Sequence, residues 1–150
     1  MNKMYIASCE EDGGIYCYNV KKRELLGFYY LKNPMYMAIE NKTMYAVLRL
    51  PFDDSDFSGV LSLDIHRNGR LSNPTDLVST NGECGCHIDV CDGDVYAVNY
   101  LSGNALKLGG KTVTHSGKGP NTARQGMPHT HQATVSPDKK YVLITDLGID

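Results

Sequence analysis

The sequence lacks the features that mark several large classes of protein. It has 15 lysine and arginine residues against 17 aspartate and glutamate residues, a net charge of −2, without any basic block or stripe. Binding to nucleic acid or to an anionic membrane surface requires clustered positive charge, so neither partner is expected. No apolar run approaches the roughly 20 residues of a membrane-spanning helix, so a membrane protein is not expected either.

Cysteine is present in an odd number and without the spacing of a disulfide framework, as Cys9, Cys17, Cys84, Cys86 and Cys91. The segment before Cys9 resembles a lipoprotein cleavage box. However, too few residues precede it to supply the apolar stretch of roughly 7–15 residues that a secretory leader needs. We therefore expect reduced thiols and a cytoplasmic location.

Two clusters have some of the character of a metal site. In the run from Cys84 to His87 a single residue separates the cysteines, whereas zinc-binding pairs usually leave about two to four. The more ordinary interpretation is that these two cysteines are small buried side chains on a strand. His129 and His131 could bind a metal together, but no third ligand is near in sequence except Asp146. The sequence predicts neither a metal site nor a cofactor.

Short alternating strands bounded by turn residues recur along the chain, and helical periodicity is scarce. Four tetrapeptides look like versions of one strand with tyrosine in second place, and these tyrosines lie 40, 51 and 45 residues apart at Tyr5, Tyr45, Tyr96 and Tyr141. Three of the four follow another strand and a tight turn, at 41–42, 92–93 and 137–138. A repeat of roughly 40–50 residues with four strands is typical of a β-propeller blade.

The predicted fold is therefore all-β, a partial β-propeller of about three blades. With strands labelled A to D from the inside outwards, the predicted units are blade 1 at about 3–31 without its inner strand, blade 2 at about 35–79, blade 3 at about 86–115, and the first two strands of blade 4 at about 130–150. Closed propellers have about four to eight blades, and unpaired edges invite association. We expect this chain to be part of a larger propeller or to close its ring by self-association.

The segment from Gly117 to Asp150 carries a long joined motif, G-x-G-P-N, R-Q and P-H-x-H followed by S-P-D and D-L-G-x-D. A second element is Val98-Asn99-Tyr100 with Ser102-Gly103. With these motifs the chain resembles the lactonase family of seven-bladed propellers, which includes bacterial 6-phosphogluconolactonase and the fungal 3-carboxy-cis,cis-muconate lactonising enzyme. The first 80 residues show the blade repeat but contain few of the residues that are characteristic of the family.

The resemblance implies a cytoplasmic hydrolase of sugar lactones in the pentose phosphate route. Seven blades at this pitch need roughly 300 residues or more, about twice the length of this chain. The residues that the family draws from its later blades, including the carboxylate it is thought to use, are therefore absent here.

Residues two apart on a strand share a face, so His129 and His131 are expected side by side at the channel mouth. The family pattern indicates both as catalytic. We predict His131 as the base or water-orienting group, His129 as its partner, and Arg124, from the preceding loop, as the group that holds a carboxylate or phosphate.

Four further residues are predicted to bind substrate. Gln125 would position Arg124, His87 would stand near the channel mouth in a related register, and the loop containing Gly119 and Asn121 would offer backbone donors to the same anion. Each candidate also has a structural reading, because a histidine at the start of a strand or a loop arginine often only bonds to its neighbours. Asp146 and Asp150 are expected to fix blade turns, and His66 and His115 to be surface or loop residues.

Three functions are compatible with these residues. The first is hydrolysis of 6-phosphogluconolactone or a similar lactone by water, with histidine and arginine assistance. The second is a 3-carboxymuconate cyclase-like cycloisomerase, in which the same cations would hold carboxylates. The third is a non-catalytic propeller scaffold, or a truncated remnant of a propeller, that presents strand edges to a partner.

Overall fold

A computed structural model of the chain describes residues 2–52 and 55–149, and in these ranges all regular structure is β-strand. Asp150, predicted above to fix a turn, lies outside the described residues. Within the same ranges there is no helix of the length and hydrophobicity needed to cross a membrane. The strands form where tyrosine, valine, isoleucine and leucine alternate with smaller or polar residues, a pattern that suits a pleated, half-buried surface.

In the described part of the chain, fourteen strands form four antiparallel sheets. The first sheet contains β1 (Lys3–Ser8), β2 (Gly14–Asn19) and β3 (Glu24–Tyr30). The second contains β4 (Pro34–Glu40), β5 (Thr43–Leu48), β6 (Gly59–Ile65), β7 (Leu71–Ser72) and β8 (Val78–Ser79). The third contains β9 (Gly85–Cys91), β10 (Asp94–Asn99), β11 (Asn104–Lys107) and β12 (Thr112–Thr114). The fourth contains β13 (Thr130–Val135) and β14 (Val142–Asp146).

The sheets follow one another around a common axis. The first strands of the second, third and fourth sheets, β4, β9 and β13, pack against each other in that order, and β1 contacts β4. These inner strands line the axis, and the later strands of each sheet lie progressively outwards. The prediction of an all-β partial propeller is confirmed, whereas the boundaries of each blade stay predictions.

A separate hydrophobic core fills each interface between neighbouring sheets. Residues such as Ile15, Met44 and Leu63 join the first sheet to the second, and Val47 and Ile88 lie in the core between the second and third. The third interface contains a smaller cluster, Cys86, Val98, Ala105 and Ala133. Because full burial of one large aliphatic side chain is worth roughly 1.5–3 kcal/mol, each interface contributes its own share of stability.

The tight turns between the first two strands of a sheet require left-handed backbone. Asn41 has a φ of 57° and Asp92 a φ of 53°, followed by Gly93 at 83°. Asparagine and Asp-Gly are the residues that two-residue hairpin turns prefer. The local sequence therefore sets the register of the β4–β5 and β9–β10 hairpins.

The fourth sheet departs from the repeat deduced from the sequence. Its hairpin loop spans 137–140, with Ser136 bonding across to Tyr141 and Val135 paired with Val142. The corresponding pair in the third sheet is Val90 with Val95, across the two-residue turn 92–93. Leu143, rather than Tyr141, is thus the counterpart of Tyr96. The alignment of Tyr141 was wrong by two residues because the loop is two residues longer, and Tyr141 is left exposed.

Candidate functional site

The candidate residues lie at one end of the inner strands, here termed the loop end. The tight turns at 41–42, 92–93 and 137–140 lie at the opposite end, termed the turn end. Antiparallel pairing alone decides this division, because the loops that enter β4, β9 and β13 must approach from the side away from those turns. The 115–129 loop, which contains Arg124 and His129, therefore opens onto the loop end.

His129, just before β13, is the most firmly oriented histidine of the site. Its Nδ1 lies 3.1 Å from the carbonyl oxygen of Tyr100. Its ring stacks on that of Tyr100, with centroids 4.4 Å apart and planes at 10°. A backbone carbonyl can only accept a hydrogen bond, so Nδ1 must carry the proton, and Nε2 of the neutral ring is left with a lone pair. This ring is set up to accept a proton.

Asp146, at the end of β14, holds the backbone of His129. One carboxylate oxygen, Oδ1, accepts the amide of His129 at 2.7 Å and that of Gly148 at 2.8 Å. The other, Oδ2, lies 2.7 Å from Nδ1 of His115, and the Asp146 side chain is only 5% exposed. Burial by itself would raise the pKa of Asp146, but the two amides and His115 outweigh it and lower that pKa. The side chain is therefore a carboxylate at neutral pH.

His115 was predicted to be a surface or loop residue, and this prediction was incomplete. Its side chain is 24% exposed and its ring is bound to the Asp146 carboxylate. Its backbone amide also donates to the carbonyl of Gly103. Nothing in the local sequence reveals this pair, because 31 residues separate the two partners.

His131 is less constrained than His129. It occupies a bulge in β13, between the paired residues Thr130 and Gln132, and is exposed. Its ring meets the edge of Tyr100, with centroids 5.8 Å apart and planes at 76°. Among the described residues no hydrogen bond fixes the imidazole of His131. It stands beside His129 on the same tyrosine but is free to turn towards a ligand.

His87 lies on β9, one position out of register with His131 on β13. His87 pairs with Val98, and the equivalent residue of β13 is Gln132, whereas His131 matches the bulged position of Cys86. The His87 ring packs on Tyr36 at 4.0 Å, and within the described structure its buried Nδ1 has no hydrogen-bond partner. Burial lowers the pKa of His87, nearby His131 lowers it further, and Asp89 partly opposes both.

Gln125 is buried inside the 115–129 loop and braces it. Its Oε1 accepts the amide of Asn121 at 2.9 Å, and its Nε2 donates to the carbonyl of Leu147 at 3.2 Å. A methyl group on Gly119 would lie 2.6 Å from the Gln125 side chain, so the close approach requires glycine. The Gly119 amide donates to the Gln125 carbonyl at 2.9 Å. Both amides that were expected to bind an anion are thus already used inside the loop.

Arg124 is presented on the surface of that braced loop. Its backbone amide donates to the carbonyl of Asn121 at 3.0 Å, and the side chain is exposed. Over the part of the chain that the structure describes, the guanidinium has no ion pair with a carboxylate, and no hydrogen bond or ring contact joins it to the histidines. The structure therefore brings His129 and His131 together on Tyr100, places His87 on Tyr36, and leaves Arg124 in the loop that leads into β13.

Cys86 illustrates why the cysteine and histidine run is not arranged for a metal. The Cys86 thiol is buried against β13, with Sγ 3.4 Å from the carbonyl of Thr130 and 3.5 Å from that of His131. Cys84 is only half-buried, contrary to the expected pair of buried side chains, and has a left-handed φ of 58°. Within the described ranges no group of three or more histidine, cysteine, aspartate or glutamate side chains could hold a metal ion.

Comparison with known proteins agrees with this architecture. The family model described as lactonase, 7-bladed beta-propeller, matches residues 3–150. A 6-phosphogluconolactonase from Bacillus subtilis is 33% identical over 132 residues, covering 80% of this chain and 37% of that protein. The chain thus spans well under half the length of this relative.

Solved structures show the same fold at lower identity. A candidate 6-phosphogluconolactonase from Bacteroides fragilis superposes with a TM-score of 0.80 at 24% identity, over 99% of this chain and 46% of that one. A periplasmic gluconolactonase from Pseudomonas aeruginosa gives a TM-score of 0.74 at 19% identity, over 99% of this chain and 48% of that one. With a match to the family model from residue 3 to residue 150, the chain belongs to the lactonase family of seven-bladed β-propellers.

Proposed function

We propose that this chain supplies the histidine-bearing part of a lactonase site that hydrolyses 6-phosphogluconolactone or a closely similar sugar lactone. The observation that carries the proposal is the contact of His129 Nδ1 with the Tyr100 carbonyl oxygen, which can only accept a hydrogen bond and so leaves Nε2 as the proton acceptor. Further support comes from the Bacillus subtilis relative, which is named 6-phosphogluconolactonase.

Hydrolysis of a lactone needs an activated water molecule and stabilisation of a tetrahedral oxyanion. In the proposed mechanism Nε2 of His129 takes a proton from a water molecule while the oxygen of that water attacks the lactone carbonyl carbon. The ring C–O bond then breaks, and the protonated His129 returns the proton to the departing alkoxide, which gives the open hydroxy acid. The hydrogen bonding thus favours His129 as the base, in place of His131.

The other candidates take supporting roles in the proposal. His131, exposed beside the same tyrosine, is available to donate to the developing oxyanion. Arg124 would bind the phosphate or carboxylate of the substrate through its guanidinium fork, and Gln125 would set the position of Arg124 by bracing the loop. His87, stacked on Tyr36, would form a wall of the site. Gly119 and Asn121 would shape the loop rather than donate to the anion.

The test is hydrolysis of 6-phosphogluconolactone by the purified chain, measured as acid release above the spontaneous rate. We expect His129→Gln to lower kcat by about 10²–10⁴-fold and Arg124→Ala to raise KM. The matched control is His66→Gln, since His66 is exposed at the turn end with its ring on Ser72. The same rate in wild type and His129→Gln would contradict the proposal.

A cycloisomerase acting on 3-carboxymuconate is the second candidate. It is favoured by one feature of the described structure, the exposed Arg124 guanidinium without a carboxylate partner, which could hold a substrate carboxylate as well as a phosphate. Turnover of carboxymuconate without turnover of the sugar lactone would favour this function.

We also propose that the chain associates through the uncovered faces of its first and fourth sheets. In the non-catalytic alternative, this association is the only function of the chain. The first and fourth sheets expose large apolar side chains, among them Phe28 and Tyr30 on β3 and Leu143 on β14, at 47%, 56% and 60% exposure. Such faces favour packing against another propeller segment. A cytoplasmic location stays a prediction.

A further inference from the structure

We propose that Asp146 is a positioning residue of the site: through the geometry of its carboxylate it fixes His129 so that Nδ1 meets the Tyr100 carbonyl and Nε2 is left as the proton acceptor. This inference rests on the proposed role of His129 as the base. It assigns no contact with substrate to Asp146.

Asp146 and the residue after it, Leu147, bind the two backbone polar groups of His129. The Asp146 Oδ1 accepts the His129 amide at 2.7 Å. The next residue, Leu147, donates its own amide to the His129 carbonyl at 2.9 Å. The amide and the carbonyl of His129 are therefore both bound to the end of β14, which leaves the backbone little freedom to rotate.

The carboxylate itself cannot turn, because both of its oxygens are occupied. Oδ1 also receives the Gly148 amide at 2.8 Å, and Oδ2 is bound to His115 at 2.7 Å. The backbone is closely packed around this contact, since a methyl group on Gly148 would lie 1.9 Å from the Met127 carbonyl oxygen and 2.8 Å from the His129 amide nitrogen. His115 thereby fixes the orientation of the Asp146 carboxylate, and the carboxylate fixes the position of the His129 backbone.

A small displacement here has a large chemical effect. The Nδ1–Tyr100 hydrogen bond selects the tautomer, so a shift of the His129 backbone releases the ring and allows the proton to move to Nε2. A misplacement of about 1 Å in a catalytic group can cost about 100-fold in rate. Loss of the Asp146 contact is therefore expected to lower kcat more than it changes KM.

Two conservative variants separate geometry from charge. Asp146→Asn keeps the shape, because its amide oxygen can still accept from His129 and Gly148 while its NH2 donates to the other tautomer of His115. Asp146→Glu keeps the charge but moves the carboxylate by one methylene. The positioning role predicts that Asp146→Asn resembles wild type and that Asp146→Glu does not.

The first measurement is the protonation of the His129 ring nitrogens by long-range proton–nitrogen NMR on the full chain, and it requires no activity. We expect a single Nδ1–H tautomer in wild type and in Asp146→Asn, and a mixture of tautomers in Asp146→Glu. In the lactone assay Asp146→Glu should lower kcat by about 10–100-fold with KM unchanged. It should have no further effect in a His129→Gln background, since positioning acts only through that ring.

The matched control is Glu40, whose carboxylate accepts two backbone amides, of Asp92 at 2.7 Å and Gly93 at 2.8 Å, at the turn end. Glu40→Gln and Glu40→Asp should leave the His129 signals unchanged. An unaltered His129 tautomer in Asp146→Glu, or a loss of that tautomer in the Glu40 variants, overturns the proposal. So does any pattern in which Asp146→Asn is the more disturbed variant.

The two proposals fail separately. If wild type does not hydrolyse lactone but its His129 tautomer depends on Asp146 as stated, the proposed function is wrong and the positioning role stands. If His129→Gln abolishes hydrolysis while Asp146→Glu has no effect on rate or tautomer, the function stands and the positioning role is wrong.

Discussion

A single backbone carbonyl gives His129 and His131 different properties, although they lie two residues apart. Tyr100 offers its carbonyl to one ring and its ring edge to the other. A carbonyl fixes a tautomer, whereas a ring edge does not. For this reason the strand pattern, which treats both histidines as equivalent, could not say which of them is the base.

The cysteines should differ sharply in reactivity in the folded protein. Burial, together with neighbouring Cys84, raises the pKa of Cys86 to about 12, so at pH 8 only about one thiol in ten thousand is a thiolate. We expect iodoacetamide at pH 8 to label half-buried Cys84 well before Cys86, with sites located by tandem mass spectrometry. Denaturant should abolish the difference, and equal labelling of the two in the native protein would contradict this environment.

His87 should make stability fall at acidic pH. Burial lowers its pKa in the folded state, so folding favours the neutral ring. This contribution is complete above the unfolded value of about 6.5 and is lost as pH falls through the lower folded value. In urea unfolding between pH 7.5 and pH 5, wild type should lose more stability than His87→Phe, which keeps the contact with Tyr36. Parallel pH dependence of the two proteins would contradict this sign.

At the scale of elements, the 115–129 loop is held as a preformed unit against β14. Gln125 braces it from within, and the Asp146–Gly148 segment binds its end at His129. A loop without regular structure keeps one conformation here because its buried polar groups are paired. The loop therefore presents Arg124 from a fixed base.

Two glycines test this attachment. Gly148→Ala places a methyl group against the Met127 carbonyl, while a methyl group on Gly126 meets nothing within 4 Å. We expect Gly148→Ala to lower the free energy of unfolding by about 1–3 kcal/mol and Gly126→Ala to change it by less than about 0.5 kcal/mol. Urea denaturation midpoints give the comparison, and equal midpoints would show that the segment is not closely packed.

At the scale of the whole molecule, stability is divided among the interfaces between sheets. The inner sheets have neighbours on both sides, whereas the first and fourth expose Tyr30, Leu143 and similar side chains. A propeller removes such faces by closing its ring. The chain spans 46% of the length of its solved Bacteroides fragilis relative, and its described residues form four sheets.

The purified chain should therefore associate in solution. We expect light scattering on a sizing column to give about twice 16.6 kDa, because two open segments can cover each other's apolar faces. Leu143→Lys should shift the mass towards the monomer, whereas the exposed turn-end variant Lys42→Glu should not. A monomer at all concentrations would contradict self-association.

The class of fold follows from the amino-acid sequence alone. Strand alternation and the turn residues Asn41 and Asp92-Gly93 are local signals, read over a few residues, and they specify hairpins whatever lies around them. The motif from Gly117 onwards likewise identified the family and located His129 and His131. Before Tyr141 the hairpin loop is two residues longer, and there the same local signals predicted the wrong alignment of the strand.

The arrangement of the site, in contrast, depends on contacts between residues far apart in the sequence. His115 meets Asp146 across 31 residues, and His129 meets Tyr100 across 29. The Gly119 and Asn121 amides are used inside the loop, and His131 matches Cys86 rather than His87 along the inner strands. Such contacts depend on how separate strands and loops are placed around the axis, and no short stretch of sequence contains that placement.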